Sequence, residues 1–338
     1  MKLDPEEFLD STVGESAASQ AALTSKKNYR HAYRFINLTS YSQREVLHRC
    51  PREFQLMKRI TPGVSEEMPN IDFAFGHSAA AGVQTYIVTG DKQASLLAAF
   101  LAWNIDLETD LPKKNKSVYF AILAVLKFIN YWDAVREHWE VATFNGRPAS
   151  ELLFWLDCEN GHHHVGHIDI ILRNKNTKKY TVLEIKTTSA KIVDEAMYGN
   201  SDQALGYSII LDTIAGLEGG VATFDVLYFV YSTVRREWET IPFQKSRTMR
   251  AEWLQDLLLD QTTINTYIKL KFFPKRGSSC WTFSRRCPHY GVCDFKEATR
   301  TDHFETWEPN MPLPEKPDFV FNLKDVLDTW VPNVVVRQ

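Results

Sequence analysis

Residues 166–189 read GHIDIILRNKNTKKYTVLEIKTTS. Two β-rich apolar runs flank the polar turn NKNTKK, the pattern of an antiparallel hairpin. Each run interrupts its Val, Ile and Leu residues with one carboxylate, Asp169 in the first and Glu184 in the second, and Lys186 follows two residues later. A turn centred between Asn176 and Thr177 sets Asp169 directly opposite Glu184. Side chains alternate along a strand, so Glu184 and Lys186 share a face, Leu183 and Ile185 take the other, and Ile168 and Ile170 both point away from Asp169. Like charges directly opposite one another destabilise a sheet. A divalent cation reverses that sign, because Mg²⁺ and Mn²⁺ take close oxygen ligands and activate a bound water toward a phosphoryl group. Lys186 is then placed to orient the water or to stabilise the developing charge. Taken alone, the same spacing also fits an ordinary, partly exposed hairpin face carrying a Glu–Lys pair.

Working outward, strand signals dominate residues 138–188, in HWEVATFNG, SELLFWLDCENG, HVGHIDIILRN and KYTVLEIKTTS. Upstream, SYSQREVLHRCPREFQLMKRI predicts a capped helix with Val46, Cys50 and Phe54 on one face. FGHSAAAGVQTYIV is a small-residue helix able to lie close to a sheet, and DKQASLLAAFLAWNIDL and KSVYFAILAVLKFINYWDAV are two amphipathic helices. Downstream, ALGYSIILDTIAG is helical, FDVLYFVYS and REWETIPF are strands, and SRTMRAEWLQDLLLDQTTINTYIKL is a long helix. This order predicts an α/β fold with a central mixed sheet flanked by helices. Residues 1–35 read as a flexible polar arm, 36–296 as the folded domain with a helical insert at about 90–140, and 297–338 as a proline-containing tail that wraps the surface.

Three motifs occur in sequence: Gly166-x-x-Asp169, Glu184-x-Lys186 and Gln203-x3-Tyr207. This set resembles the PD-(D/E)XK nuclease superfamily, specifically its RecB-like branch, which includes CRISPR-associated and phage exonucleases. The resemblance covers roughly residues 38–296 and implies a restriction-endonuclease-like fold. It implies that Asp169 and Glu184 bind Mg²⁺ or Mn²⁺ with help from the Ile185 carbonyl, and that Lys186 serves the attacking water. Gln203 and Tyr207, one helical turn apart, would pack beside the site and contact the DNA strand. RecB-like members also place a metal-binding His or acid on a helix ahead of the sheet. His77 comes earlier than the usual spacing, and Gln84 follows it on the same helical face; either is a candidate. The run His162, His163, His164 looks like a metal cluster, but neighbours on a strand point oppositely, so these residues read as strand-edge groups near substrate.

Of five cysteines, Cys158 lies in an apolar strand and reads as core. Cys280, Cys287 and Cys293 crowd a short turn-rich segment, and Cys50 lies far upstream in HRCPREF. Four thiolates match the number that a tetrahedral zinc or an iron–sulfur cluster requires. The resemblance extends to an iron–sulfur subset of RecB-like nucleases with one Cys before the nuclease motifs and three after. It implies a [4Fe–4S] cluster on Cys50, Cys280, Cys287 and Cys293, with structural zinc as the alternative. The spacing C-x6-C-x5-C departs from the usual C-x2-C-x5-C in its first interval. Such a cluster would tie the early helix to the C-terminal loop and add stability, not chemistry.

The net charge is −3, so any nucleic-acid partner must be met by a local basic groove. KKNYRHAYRF, FFPKRG and FSRRCPHY interleave basic and aromatic residues, which suits phosphate contact and base stacking. No run of about 18 apolar residues suggests a membrane span. The acidic start MKLDPEEFLDSTVGES is unlike a signal peptide, so a cytoplasmic protein is expected (host cytoplasm if phage-encoded). These features together predict a metal-dependent DNA nuclease, an exonuclease acting on ends or single strands. No P-loop is present, so unwinding would come from a helicase or recombination partner. The rival readings are a binding or recombination module of the same fold that has lost activity, and a structure- or sequence-specific endonuclease.

Overall fold

The computed structural model describes residues 35–59, 71–104, 115–144, 146–158, 161–199, 201–217, 221–282, 285–302, 304–308, 310–311 and 316–330. The expected N-terminal arm, apart from Phe35, lies outside them. Strand β1 (Leu38–Thr39) leads into helices α1 (Tyr41–Arg49) and α2 (Pro51–Arg59). The apolar spacing predicts one continuous helix here, and Pro51 divides it. A residue before proline is pushed out of the helical region, and Cys50 has φ −155° and ψ 102°. Pro51 then begins α2, where its missing N–H costs nothing. Cys50 is thereby set at a corner between two helices instead of on a helix face.

Helices α3 (Ile71–Thr89), α4 (Lys92–Ala102) and α5 (Val118–Val135) follow. Asp91 caps α4 by accepting from the Gln93 and Ala94 N–H groups, and Ser117 caps α5 through Phe120. Each such cap contributes about 1 kcal/mol. Contrary to the sequence expectation, one segment, Val118–His138, is long and apolar enough by length and composition to cross a membrane. The apolar face of α5 serves the core: Ala121, Ala124, Val125, Phe128, Ile129 and Trp132 are buried there.

The remaining elements are β2 (Trp139–Val141), β3 (Thr143–Phe144), β4 (Arg147–Pro148), β5 (Ser150–Asp157), β6 (His163–Asn174), β7 (Lys179–Thr188), α6 (Ala196–Gly199), α7 (Asp202–Leu217), β8 (Val221–Ser232), β9 (Glu237–Gln244), α8 (Arg247–Lys269), β10 (Trp281–Thr282), β11 (Arg285–Arg286), β12 (Phe319–Asn322) and α9 (Leu323–Trp330). The main sheet runs β12-β5-β6-β7-β8-β9, with β1 and β2 added along β6. Strands β5, β6 and β7 are antiparallel neighbours, whereas β7 and β8 are parallel. A parallel pair needs a crossover, and α7 supplies it. This is the mixed central sheet flanked by helices that the sequence pattern predicts.

One face of the sheet packs Leu183, Ile185, Phe229 and Tyr231 against α3, α4 and α5. The other packs Val182, Tyr228 and Val230 against α7 and α8. Buried Arg44 of α1 pins both helices of that second layer, reaching Asp202 at 2.7 Å and Asp260 at 2.6 Å. The C-terminal segment does more than wrap the surface. Strand β12 pairs in parallel with β5 from Phe319↔Phe154 to Asn322↔Asp157, and Leu323 and Val326 of α9 are buried. Its strand is only four residues long, too short for a period-2 pattern to stand out among prolines.

Candidate active site

Strand β6 has two neighbours along one edge. β1 lies beside His163 and His164 at its start, and β7 lies beside Ile170–Arg173 near its end. Between them no described strand pairs with that edge of β6. Ile170 pairs with Leu183 and Arg173 with Tyr180, the register that a turn centred between Asn176 and Thr177 demands. The next rung, Asp169 with Glu184, is not a ladder pair. Instead Asp169 Oδ2 accepts a hydrogen bond from the Ile185 N–H at 3.1 Å. The strands part at the acids, and strict alternation fails there: Ile168 joins the α7–α8 core while Ile170 joins the α3–α5 core. A side chain that replaces a backbone rung forces the strand to turn locally.

Helix α7 closes the opened edge. Lys186 Nζ lies 2.7 Å from Glu184 Oε1 and donates to Gln203 Oε1 at 2.8 Å. Gln203 Nε2 donates to the Tyr207 hydroxyl at 2.8 Å, and that hydroxyl donates to the His167 carbonyl, one of the β6 groups facing the gap. Tyr207 is 2% exposed, so its position is internal. The sequence expectation is that Gln203 and Tyr207 contact DNA; the Tyr207 side chain is buried, with its hydroxyl engaged by Gln203 and the His167 carbonyl. Gly166 explains itself by packing: a Cβ there would lie 2.6 Å from Phe154 Cζ and 2.8 Å from Tyr41 Cε2. Gly206 on α7 likewise leaves room for Tyr41.

The electrostatics follow from this crowding. Burial, then Glu184 and Glu151, hold the Asp169 carboxyl well above the usual carboxylate range, with Lys186 and the Ile185 amide acting against them. Burial works against the Lys186 ammonium, but Glu184 and then Asp169 outweigh it, so the lysine is held charged. Burial and the nearby Glu184 raise the Tyr207 hydroxyl, which stays a donor. Glu184 is 2% exposed, and its Oε2 has no hydrogen-bond partner among the described residues. An orphaned buried carboxylate oxygen beside a second carboxyl fits a hard cation. Among the described residues no three His, Cys, Asp or Glu side chains are already gathered at ion-holding distance.

The helix candidates separate. His77 is exposed on α3. Gln84 is buried and donates through Nε2 to Glu151 Oε1 at 2.7 Å. Sequence reasoning passed over Glu151; the one signal was a lone carboxylate inside the apolar run SELLFWL. The three histidines are interior, not edge groups. His162 contacts Asn265 Oδ1 at 2.9 Å, His163 contacts Asp157 Oδ1 at 2.6 Å, and fully buried His164 lies edge-on to Tyr41 at 4.4 Å. His163 and His164 begin the central strand β6, with β1 and β5 on either side, and His162 immediately precedes it.

The cysteine segments meet. Ser279 Oγ donates to the Arg49 carbonyl at 2.8 Å, and the Arg52 N–H donates to the Pro274 carbonyl at 3.2 Å. The Cys287 N–H donates to the Cys280 carbonyl at 3.0 Å. Cys287 is electrostatically coupled to Cys50 and Cys280, and Arg52 to Cys293 and Cys50. Burial pushes the Cys287 thiol up to about 11. Cys158 stands apart, its thiol donating to the Leu156 carbonyl at 3.4 Å. Nearby, Trp281 (63% exposed) and Tyr290 (56% exposed) face solvent, and the Arg286 guanidinium lies 5.0 Å from the Tyr290 ring centre.

A family model described as the PD-(D/E)XK nuclease superfamily matches residues 39–294. Among solved structures, a Eubacterium rectale protein provisionally described as an exonuclease is 10% identical, with 82% of this chain and 91% of that chain covered at a TM-score of 0.45. SSO0001 is 13% identical, covering 62% of this chain and 84% of its own at a TM-score of 0.23. No curated protein matches in sequence.

Proposed function

This chain belongs to the PD-(D/E)XK nuclease superfamily, and from that premise we propose a Mg²⁺- or Mn²⁺-dependent deoxyribonuclease of the RecB-like branch, acting as an exonuclease on DNA ends or single strands. The observation that carries this is the meeting of Asp169, Glu184 and Lys186 at the opened edge of β6, with Glu184 Oε2 buried and unpaired. Asp169, Glu184 and the Ile185 carbonyl would hold the ion. When bound it supplies a water of lowered pKa and neutralises charge on the phosphoryl oxygens. The chain's own residues do the rest. Lys186, held charged by Glu184, acts as a fixed donor toward oxygen that gains negative charge, and not as a proton acceptor. Gln203 fixes its ammonium, and Tyr207 fixes Gln203.

The four thiols Cys50, Cys280, Cys287 and Cys293 fit a [4Fe–4S] cluster by donor chemistry, with zinc as the alternative. Cluster ligands bind as thiolates, so assembly would release the proton that burial keeps on Cys287. The cluster would lock the α1–α2 corner onto the 274–293 segment. Arg286, Tyr290 and Trp281 would then form a basic, aromatic lip for single-stranded DNA. A cytoplasmic setting and a helicase or recombination partner complete the reading.

The test is digestion of end-labelled linear and closed circular DNA after anaerobic purification, with Mg²⁺, Mn²⁺ or chelator, beside Lys186→Ala. Metal-dependent loss of linear DNA alone, abolished in Lys186→Ala, is expected. Discrete fragments from circles would mean an endonuclease. DNA binding without any metal-dependent cleavage would mean an inactive binding module.

A further inference from the structure

Buried Arg44 divides its guanidinium between two helices. Its Nε donates to Asp260 Oδ2 on α8 at 2.6 Å, and its Nη1 donates to Asp202 Oδ2 on α7 at 2.7 Å. The same group lies 5.2 Å from the centre of the Trp253 ring. A guanidinium pairs most strongly with one carboxylate through two parallel bonds. Here the fork is split, and the other oxygen of Asp260 meets His48 Nε2 at 2.6 Å. The second arm of the fork reaches the first residue of α7. The next residue is Gln203, whose Oε1 accepts from Lys186 Nζ at 2.8 Å. Helix α1 also touches α7 one turn further on. The Tyr41 ring lies 5.1 Å from that of Tyr207, and a Cβ on Gly206 would lie 2.7 Å from Tyr41 Cε1. Residues four apart share a helix face. Asp202 and Gly206 therefore form the face turned to α1, and Gln203 and Tyr207 form the adjoining face turned to the acids and Lys186. Contacts on the first face fix the rotation of the helix, and that rotation decides where Gln203 points.

We propose that Arg44 is a positioning residue for the reaction: through Asp202 it sets the first turn of α7 so that Gln203 meets the Lys186 ammonium. Any turn of α7 that parts Asp202 from Arg44 also swings Gln203 away from Lys186. The arm to Asp260 braces the guanidinium against α8, so the helix start is held to a fixed point in the core. This rests on the reading that Lys186 serves metal-dependent cleavage.

The test is steady-state digestion of end-labelled DNA with Mn²⁺ by the full chain carrying Asp202→Ala or Gln203→Ala, singly and together. Asp202→Ala is expected to lower kcat about 10-fold with KM unchanged, as a small misplacement of a catalytic group does. In the Gln203→Ala background it should cost nothing further, because both changes act through one bond to Lys186. Asp202→Asn, whose amide oxygen still accepts from Arg44, should keep most of the rate. An unchanged kcat in Asp202→Ala, or a full further loss in the double variant, beside abolished cleavage in Lys186→Ala, would overturn the role of Arg44 and leave the nuclease reading intact. No metal-dependent cleavage by the unmodified chain would overturn both. Should circular dichroism find Asp202→Ala unfolded, Asp202→Ser replaces it, since helix starts favour serine.

Discussion

Tyr207→Phe removes one oxygen and keeps the ring that packs on Tyr41 at 5.1 Å. That oxygen has two jobs, donating to the His167 carbonyl and accepting from Gln203 Nε2 at 2.8 Å. The carbonyl faces the interval where no described strand pairs with β6. Leaving a buried acceptor unsatisfied costs about 1–3 kcal/mol. With an unfolding entropy of about 2.1 cal/mol/K per residue, a chain of this size should lose roughly 1–4 °C in Tm. The catalytic effect travels through Gln203 to Lys186. A catalytic group displaced by about 1 Å can cost on the order of 100-fold, so kcat for metal-dependent cleavage should fall about 10- to 100-fold with KM unchanged. Thermal melts and steady-state digestion of end-labelled DNA read the two effects. A Gln203→Ala, Tyr207→Phe double variant should be no worse than the more damaging single one, because both break one chain of bonds. A rise in KM with kcat and stability intact would place the hydroxyl at the DNA and refute the relay.

Gly166→Ala should destabilise the protein by about 1–3 kcal/mol through overpacking, because its Cβ would press on Phe154 and Tyr41; adding Phe154→Leu should recover part of the loss in urea melts. Asp169 gives a pH signature. Its folded pKa is raised, so the native state keeps a proton that the unfolded chain releases near pH 4. The stability this contributes is complete below that pH and is lost as pH rises through the folded pKa. Chelator-treated protein should therefore weaken across that rise, and Asp169→Asn should flatten the trend; an unchanged slope in the variant would contradict the assignment. Trp281→Ala should cost about 1–3 kcal/mol in affinity for single-stranded DNA and leave the turnover rate on saturating substrate intact, as measured by fluorescence anisotropy beside the digestion assay.

The hairpin was legible because its information is local. Turn composition set the register, and period-2 burial set the faces of Leu183, Ile185 and Glu184. The break at Cys50 was also written in the sequence, since Pro51 excludes a helical residue before it, but an i, i+4 apolar pattern concealed it. What escaped depends on distant segments. Nothing near Glu151 announces that its φ is positive or that Gln84, 67 residues away, will bind it. Strand β12 is defined by its partner β5 and not by its own four residues. The histidine run suggested an exposed edge because polar residues usually are exposed; β1, recruited from the far N-terminal side, covers it.

A complete antiparallel ladder would leave no site here. Each rung consumes an N–H and a C=O and fixes opposed Cβ atoms about 4.5–5.5 Å apart, with no backbone group free to face an ion. This ladder stops one rung short of the acids, which strands two kinds of group. The Ile185 N–H is met by the Asp169 carboxyl, and the His167 carbonyl by the Tyr207 hydroxyl. Once the N–H of Ile185 is turned toward Asp169, its own carbonyl and the Glu184 side chain belong to the same opened edge. The absent Cβ of Gly166 lets Phe154 and Tyr41 fill the space beneath the gap without closing it. Gly166-x-x-Asp169, Glu184-x-Lys186 and Gln203-x3-Tyr207 are therefore three parts of one device: the first opens the sheet and floors the opening, the second lines it with charge, and the third satisfies the backbone that the opening exposes.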